Sequence, residues 1–360
     1  MTKSIRIGGG IAVILVSVVT STRAQLDSTS IRVNVNLVQV NVAVTDSKGN
    51  YVTGLGPQSF SVTEDKIPQK IATFEAGESP ATAIPSSLPD PHGSVAVSPG
   101  PAGVDALVSS GSSTQAPESR FSDANVFVLF DTSNYMYKTF VYAQDAIADF
   151  VRSLQSVSKV AFYSYSRDLS RAATLTSDRA EILRSVRGTV AGDNAALYDC
   201  LLLTVKDAAR VKGRKVIVVF SNGPDNASLV PPEDVAELAQ STGTIIYMVS
   251  TAQAQIEPIS MAVFERMSKA TGGKAYFAKS WKDETKAFAS IRDDLANLYF
   301  LSYYPQPNPN RGWRTITVKL VGKETQSYHV RTRDGYRLQQ ARSSQANTAA
   351  FSPEPGASSN

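Results

Sequence analysis

Three short runs limit what this chain can fold into. Asn125–Phe130, Lys215–Phe220 and Thr244–Ser250 are apolar nearly throughout, without alternation of polar and apolar residues. A strand with one face in water alternates, whereas a strand apolar on both sides must be covered on both. Helical patterns lie between the runs. Thr139–Ser156 places Phe140, Ala143, Ile147, Phe150, Val151 and Leu154 on one stripe. Asp178-x-x-Glu181 is a capping box that opens a helix through Val186. Ala195–Val211 reads as a helix stopped by Gly213, and Pro231–Thr242 as one with prolines at its start and Gly243 past its end. Ile259–Thr271 ends at Gly272-Gly273, and Asp283–Leu298 is the last helix. Val160–Tyr165 and Lys274–Ala278 add two strands. This alternation predicts a doubly wound α/β domain over 121–298 with a mostly parallel sheet. Ligands of such folds bind at the carboxyl ends of the strands.

The flanks have a different pattern. Residues 25–76 are β-rich and immunoglobulin-like. Val40, Val42 and Val44 alternate after a phase break at Leu37-Val38, and Phe60 and Val62 alternate later. Residues 299–338 return to strands at Tyr299–Tyr304, Trp313–Val321 and Gln326–Thr332. Each flank is too small to bury a core alone. Pairing of the two into one β-sandwich, with the α/β domain between them, is therefore expected. Residues 77–120 and 339–360 are rich in Ser, Pro, Gly and Ala, and their composition predicts a disordered linker and tail. Residues 1–24 read as a signal peptide: Lys3 and Arg6, then an apolar stretch from Ile11 to Val19, then Thr22-Arg-Ala24. This predicts export to the periplasm or beyond, with no membrane span after cleavage.

The formal charge of +4 comes mostly from that first segment, which holds Lys3, Arg6 and Arg23 and no acid. Without it the chain is close to neutral, so a nucleic-acid partner is not expected. Cys200 is the one cysteine, within an apolar helical run, and reads as a core thiol. His92 and His329 are the two histidines, one in the linker and one in a strand, which speaks against a Ser/His or Cys/His enzyme. "TGGK" at 271–274 follows its helix instead of preceding it and so reads as a helix stop.

The strand "FVLF" runs into Asp131-Thr-Ser133-Asn-Tyr135. A carboxylate and hydroxyls at a strand end are hard oxygen ligands suited to Mg²⁺ or Ca²⁺. Here the chain resembles the von Willebrand factor type A domain. "LFDTSNYM" is similar to its first metal-site loop, "NAALYDC" (194–200) to its second and "VIVVFSNGPDN" (216–226) to its third. The whole layout resembles the VWFA-related Acidobacteria proteins. The carriers are "VTDSKGNYVTGLGPQSFSVTEDKIPQKIATF" (44–74), Tyr303-Tyr304-Pro305 and Arg333-Asp-Gly-Tyr336. The resemblance implies an Asp-x-Ser-x-Ser metal-ion-dependent adhesion site. Against that pattern Asp131 and Ser133 remain, Tyr135 replaces a serine, Ala195 a threonine and Asn222 an aspartate. The expectation is a degenerate site with little or no Mg²⁺ binding and no other cofactor. Asp131, Ser133, Tyr135, Tyr137, Asn194 and Asn222 would form a rim for a protein or envelope polymer, with Met136 in the same cluster. Asp199 would brace the second loop from its helix start. The alternatives are a metal-dependent adhesion protein with Asp193 or Asp225 as substitute ligands, and an envelope hydrolase.

Overall fold

In a computed structural model, residues 37–77, 82–84, 124–154, 157–250 and 258–338 are described. The expected signal peptide, linker and tail lie outside them, apart from Gly77 and residues 82–84 at the start of the linker.

The central unit is built on β6 (Ala124–Asp131), which is buried along its whole length. β7 (Lys159–Tyr165) and β9 (Arg214–Phe220) flank it in parallel register. β10 (Thr244–Ser250) and β11 (Ala275–Phe277) continue the parallel sheet on one side, and β8 (Leu169–Thr176) closes the other side antiparallel to β7. The two faces of β6 explain its unbroken apolarity. Val126, Val128 and Phe130 pack against α1 (Phe140–Ser153), α2 (Arg179–Arg187) and α6 (Trp281–Asn297). Phe127 and Leu129 pack against α3 (Leu197–Ala209), α4 (Pro232–Thr242) and α5 (Pro258–Thr271). Successive side chains of a strand point to opposite faces, so a strand between two helix layers has no polar side.

Local signals set the helix ends. The Asp178 carboxylate accepts hydrogen bonds from the N–H groups of Ala180 and Glu181, a cap worth about 1 kcal/mol. Gly243 adopts the left-handed conformation (φ 68°) that stops α4. A Cβ on Gly273 would collide with the Ile246 carbonyl, so this glycine lets the turn after α5 pass against β10.

The flanking segments form two antiparallel sheets. One orders β14 (His329–Arg331), β1 (Val38–Thr45), β12 (Tyr299–Tyr303), β4 (Ile71–Ala76) and β5 (Thr82–Ala83). The other orders β15 (Gly335–Arg337), β13 (Trp313–Leu320), β2 (Phe60–Glu64) and β3 (Ile67–Gln69). N- and C-terminal strands pair directly, with Val38 opposite Tyr303 and Val62 opposite Val318. The alternating Val38, Val40, Val42 and Val44 face the shared core, as the period-two pattern requires.

One sequence expectation is corrected here, and one strand was not anticipated. The strand expected over 326–332 is confined to His329–Arg331, because Lys323–Thr325 forms a 3-10 turn and Tyr328 N–H bonds back to Thr325 O at 3.0 Å. β8 had no signal at all. It is an edge strand with Ala173 its one buried residue, so its apolar pattern is too weak to read.

The family-like motifs of the flanks meet inside the sandwich. Glu64, of the "VTED" stretch, is fully buried. Its carboxylate accepts from Tyr303 OH and Tyr336 OH, both at 2.8 Å, and pairs with Arg314 Nη1 at 2.7 Å. Asp65 sits at φ +49° in the β2–β3 turn. Its side chain is held by Thr315 N–H, Asn308 and Asn310, each at 2.9 Å. These motif residues therefore build a core and a turn, not a ligand site.

A polar seam joins the sandwich to the α/β unit. Asp294 of α6 is fully buried and accepts from Tyr51 OH and Tyr247 OH, both at 2.6 Å, while Arg331 of β14 pairs with both its oxygens. Arg214 of β9 pairs with Glu75 of β4 and stacks on Phe300, 3.5 Å from the ring centre. Arg333 reaches the Gln240 carbonyl on one side and the Gln39 carbonyl, at 2.7 Å, on the other.

Candidate functional site

The carboxyl ends of the parallel strands carry three loops that converge beside Asp131. The first, 132–139, continues β6. The second, 188–196, leads into α3. The third, 221–231, follows β9. Main-chain bonds tie the first to the second: Asn134 N–H donates to Asp193 O at 2.8 Å, and Gly192 N–H to Thr132 O at 2.7 Å. The second and third are tied by Ala195, whose carbonyl accepts from Asn226 and Ala227 N–H and whose N–H donates to Asn226 Oδ1 at 2.9 Å.

Asp131 forms the floor and is fully buried. Its Oδ1 accepts from Ser133 N–H at 2.9 Å, and its Oδ2 from Ser221 Oγ at 2.7 Å. Ser221 in turn accepts from Tyr165 OH at 3.0 Å and from Gly223 N–H at 3.1 Å. Burial pushes the Asp131 carboxyl above its ordinary value, against the Ser133 N–H and Ser221 bonds that favour the ionised form. Ser133 Oγ is buried beside it without a hydrogen-bond partner.

The other predicted residues take varied positions. Asn222 is buried, and its amide nitrogen donates to the Tyr135 carbonyl at 2.7 Å. Tyr135 is half-buried, and its hydroxyl accepts from Asn226 at 3.4 Å. Asn194 is exposed and accepts from the same Asn226 nitrogen at 3.4 Å. Tyr137 is exposed, and its hydroxyl donates to Gly192 O at 2.7 Å. Thus Asp131, Ser133 and Asn222 lie beneath the surface, Tyr135 is a tie between loops, and Tyr137 and Asn194 are at the surface. Met136 does not join them. It is fully buried in the core under the loop, its apolar chain turned away from water.

Of the two acids considered as substitute ligands, one is taken up by local bonds and the other is exposed. Asp225 accepts from Tyr198 N–H at 3.0 Å, Ser228 Oγ at 2.6 Å, and the N–H groups of Ala227 and Ser228. Asp193 is exposed, with Tyr137 OH 3.3 Å away. Asp199, at the start of α3, braces the third loop by accepting from Leu229 and Val230 N–H at 3.1 and 2.9 Å. Among the described residues, no group of three or more His, Cys, Asp and Glu side chains is placed to hold a metal. Cys200 is buried below the loops, and burial pushes its thiol up to about 12.

Apart from Tyr137, sequence reasoning missed a set of exposed apolar side chains at this end of the unit, called here the collar. The described residues of the α/β unit have eight large apolar side chains exposed. Seven of them are at the carboxyl end: Val141 and Tyr142 at the start of α1, Tyr137, Val190 and Leu229 in the loops, and Ile259 and Trp281 opening α5 and α6. Leu203, midway along α3, is the eighth. Tyr142 is 66% exposed, Leu229 93% and Trp281 63%, so none is a core residue with one edge showing. Val141 and Tyr142 come four and five residues after Tyr137, in the first turn of α1, and their departure from its apolar stripe was the available signal.

Residues 125–290 match the family model of the von Willebrand factor type A domain. The α/β unit has that fold. Solved structures with likeness to this chain include BatB from Bacteroides thetaiotaomicron, 14% identical over 48% of this chain and 97% of that one, at a TM-score of 0.41. Proximal thread matrix protein 1 from the mussel byssus, solved with zinc in its metal-ion-dependent adhesion site, is 15% identical over 48% of each chain at 0.42. The von Willebrand factor domain of the type V pilus tip protein Mfa5 from Porphyromonas gingivalis is 12% identical over 48% of this chain and 94% of that one at 0.38. A search of curated proteins finds no match.

Proposed function

We propose that this is an exported, non-catalytic interaction protein that binds a protein or envelope polymer at the carboxyl end of its α/β unit, without a metal. The observation that carries the reading is the collar. Seven large apolar side chains exposed at the same end of one domain support an interaction surface there. Tyr137, Tyr142 and Trp281 are the residue types that anchor interfaces. The match to the type A domain over 125–290 supports a binding module, and the charged and apolar segments of residues 1–24 support export.

The donor set supports the metal-free part. A hard dication takes six or more oxygens. At this floor both Asp131 oxygens already accept protein hydrogen bonds, Ala195 offers no side-chain oxygen, Asn222 turns its nitrogen to Tyr135, and Asp225 caps α3. One observation favours a second reading, a metal-dependent protein: the buried Ser133 Oγ, beside the Asp131 carboxylate, has no hydrogen-bond partner.

Capture of envelope components on the immobilised full chain tests both. The expected result is capture that survives EDTA and is lost in a Tyr142→Asp, Trp281→Ser variant of unchanged melting temperature. Capture abolished by EDTA and restored by Mg²⁺, with a rise in Tm on adding Mg²⁺, would establish the second reading instead.

A further inference from the structure

Another concave surface lies away from the rim, where the sandwich meets the α/β unit. A cleft of about 590 Å³ opens between the end of α5, the start of β11 and the strands β13 and β14. Two of its walls are strand edges. Asp65 N–H donates to Thr315 O and Val321 N–H to Ser59 O, each at 2.9 Å, so the ladder between β13 and β2 uses odd-numbered residues of β13. The even-numbered residues turn their main-chain groups to the opposite flank. There β15 covers Trp313–Thr315, and Ile316 N–H donates to Asp334 O at 3.0 Å. Beyond that point, among the described residues, no strand pairs with this flank. Across the cleft, β14 is the terminal strand of its sheet and pairs with β1 alone. An unpaired strand edge is a template for another strand.

The cleft also has a charge preference. Lys269, Lys274, Arg331 and Arg333 line it, against Glu265 and Asp334. Arg331 is neutralised by Asp294, but the bonds of Arg333 go to carbonyls. Lys274 is half-buried, its ammonium 5.8 Å from the centre of the Tyr51 ring on the side of Asp294, and among the described residues no carboxylate lies within ion-pair distance of it. Ile316, Val318 and Val330 supply the apolar part of the lining.

We propose that this cleft is a docking groove for an extended acidic peptide segment of a partner protein. The peptide main chain pairs with the open flank of β13, and its carboxylates meet Lys269 and Lys274. Strand addition of this kind draws affinity from the main chain and specificity from alternate side chains.

The test uses fluorescence anisotropy on the full chain with a labelled, end-blocked octapeptide of four Val-Glu repeats. Saturable binding is expected, at least tenfold weaker for Val-Gln and Val-Lys repeats and absent for a Val-Glu peptide N-methylated at alternate residues. Lys269→Met with Lys274→Met should weaken Val-Glu binding at least tenfold without lowering Tm. If that pair melts lower, Lys274→Arg, which keeps the charge, must retain binding. Failure of the Val-Glu peptide to saturate overturns the proposal, as does equal binding of Val-Lys or undiminished binding after N-methylation. So does a loss of binding in the Tyr142→Asp rim variant, which would move the peptide to the rim.

Discussion

Asp131 and Asp294 are both fully buried carboxylates of the α/β unit, one below the rim and one in the seam. Asp294 has a guanidinium across both oxygens and two tyrosine hydroxyls. Asp131 is surrounded by neutral donors only, from Ser133, Ser221 and Tyr165. A buried charge with a matched cation holds elements together, while one without a cation is held at a cost that the fold bears. The seam is thus built as a joint. The floor of the rim keeps an acid that contributes little to stability and has the polar surroundings of a site.

The sharpest way to break this contrast is at the joint. Asp294→Ala leaves Arg331 and two phenols unpaired, and should cost about 3–5 kcal/mol in a urea melt. Asp131→Asn should cost far less, and a loss of equal size would erase the distinction.

The second largest effect is on pH dependence. The folded Asp131 carboxyl is raised above its ordinary 3.8 by burial, so across that interval the native state binds more protons than the unfolded chain. Its effect on stability therefore turns unfavourable as pH rises from about 4 through the raised value. Asp131→Asn should gain on the wild type over that rise. Glu284, near the start of α6, behaves in the same direction: burial pushes its carboxyl from 4.5 up to about 7. Stability should fall as pH climbs through that range, and Glu284→Gln should flatten the slope between pH 5 and 8. Melts of both variants across pH decide the point, and a slope of opposite sign would refute the assignment.

Smaller still is the expected effect of the collar on folding. Tyr142→Ser and Leu229→Ser should shift stability by no more than about 0.5 kcal/mol, because neither side chain leaves a core. A larger loss would mean that the collar is structural. The least perturbing probe is Cys200, whose buried and elevated thiol should react with a disulfide reagent only in denaturant.

Much of this architecture was legible in the residues. The unbroken apolar runs and the capping signals placed the sheet and its helices, because burial on two faces has no other sequence form. β8 was hidden because one buried alanine makes no pattern. The site was legible as a place and less so as a surface. Asp131, Ser133 and Asn222 were picked out from loop patterns as candidates, but a linear motif does not say which side chains turn inward, and these do. Tyr135 stood out by its substitution, yet its half-buried ring serves as a tie. Val141, Tyr142 and Trp281 went unseen, because an exposed apolar residue at a helix start differs from a core residue only once the packing is known.

Gly77 and Leu298 bracket the whole α/β unit and lie side by side, with Gly77 N–H bonded to Leu298 O at 3.0 Å and Ala76 opposite Tyr299. β4 and β12 are thus the two arms of a hairpin whose turn has been replaced by a domain. During synthesis this imposes a delay. β1 meets its partner only when β12 emerges, roughly 260 residues after Val42, which at about 5–20 residues per second is on the order of 13–50 s. For that time the valine-rich strand lacks its partner, and an open edge of this kind is a template for pairing with another chain.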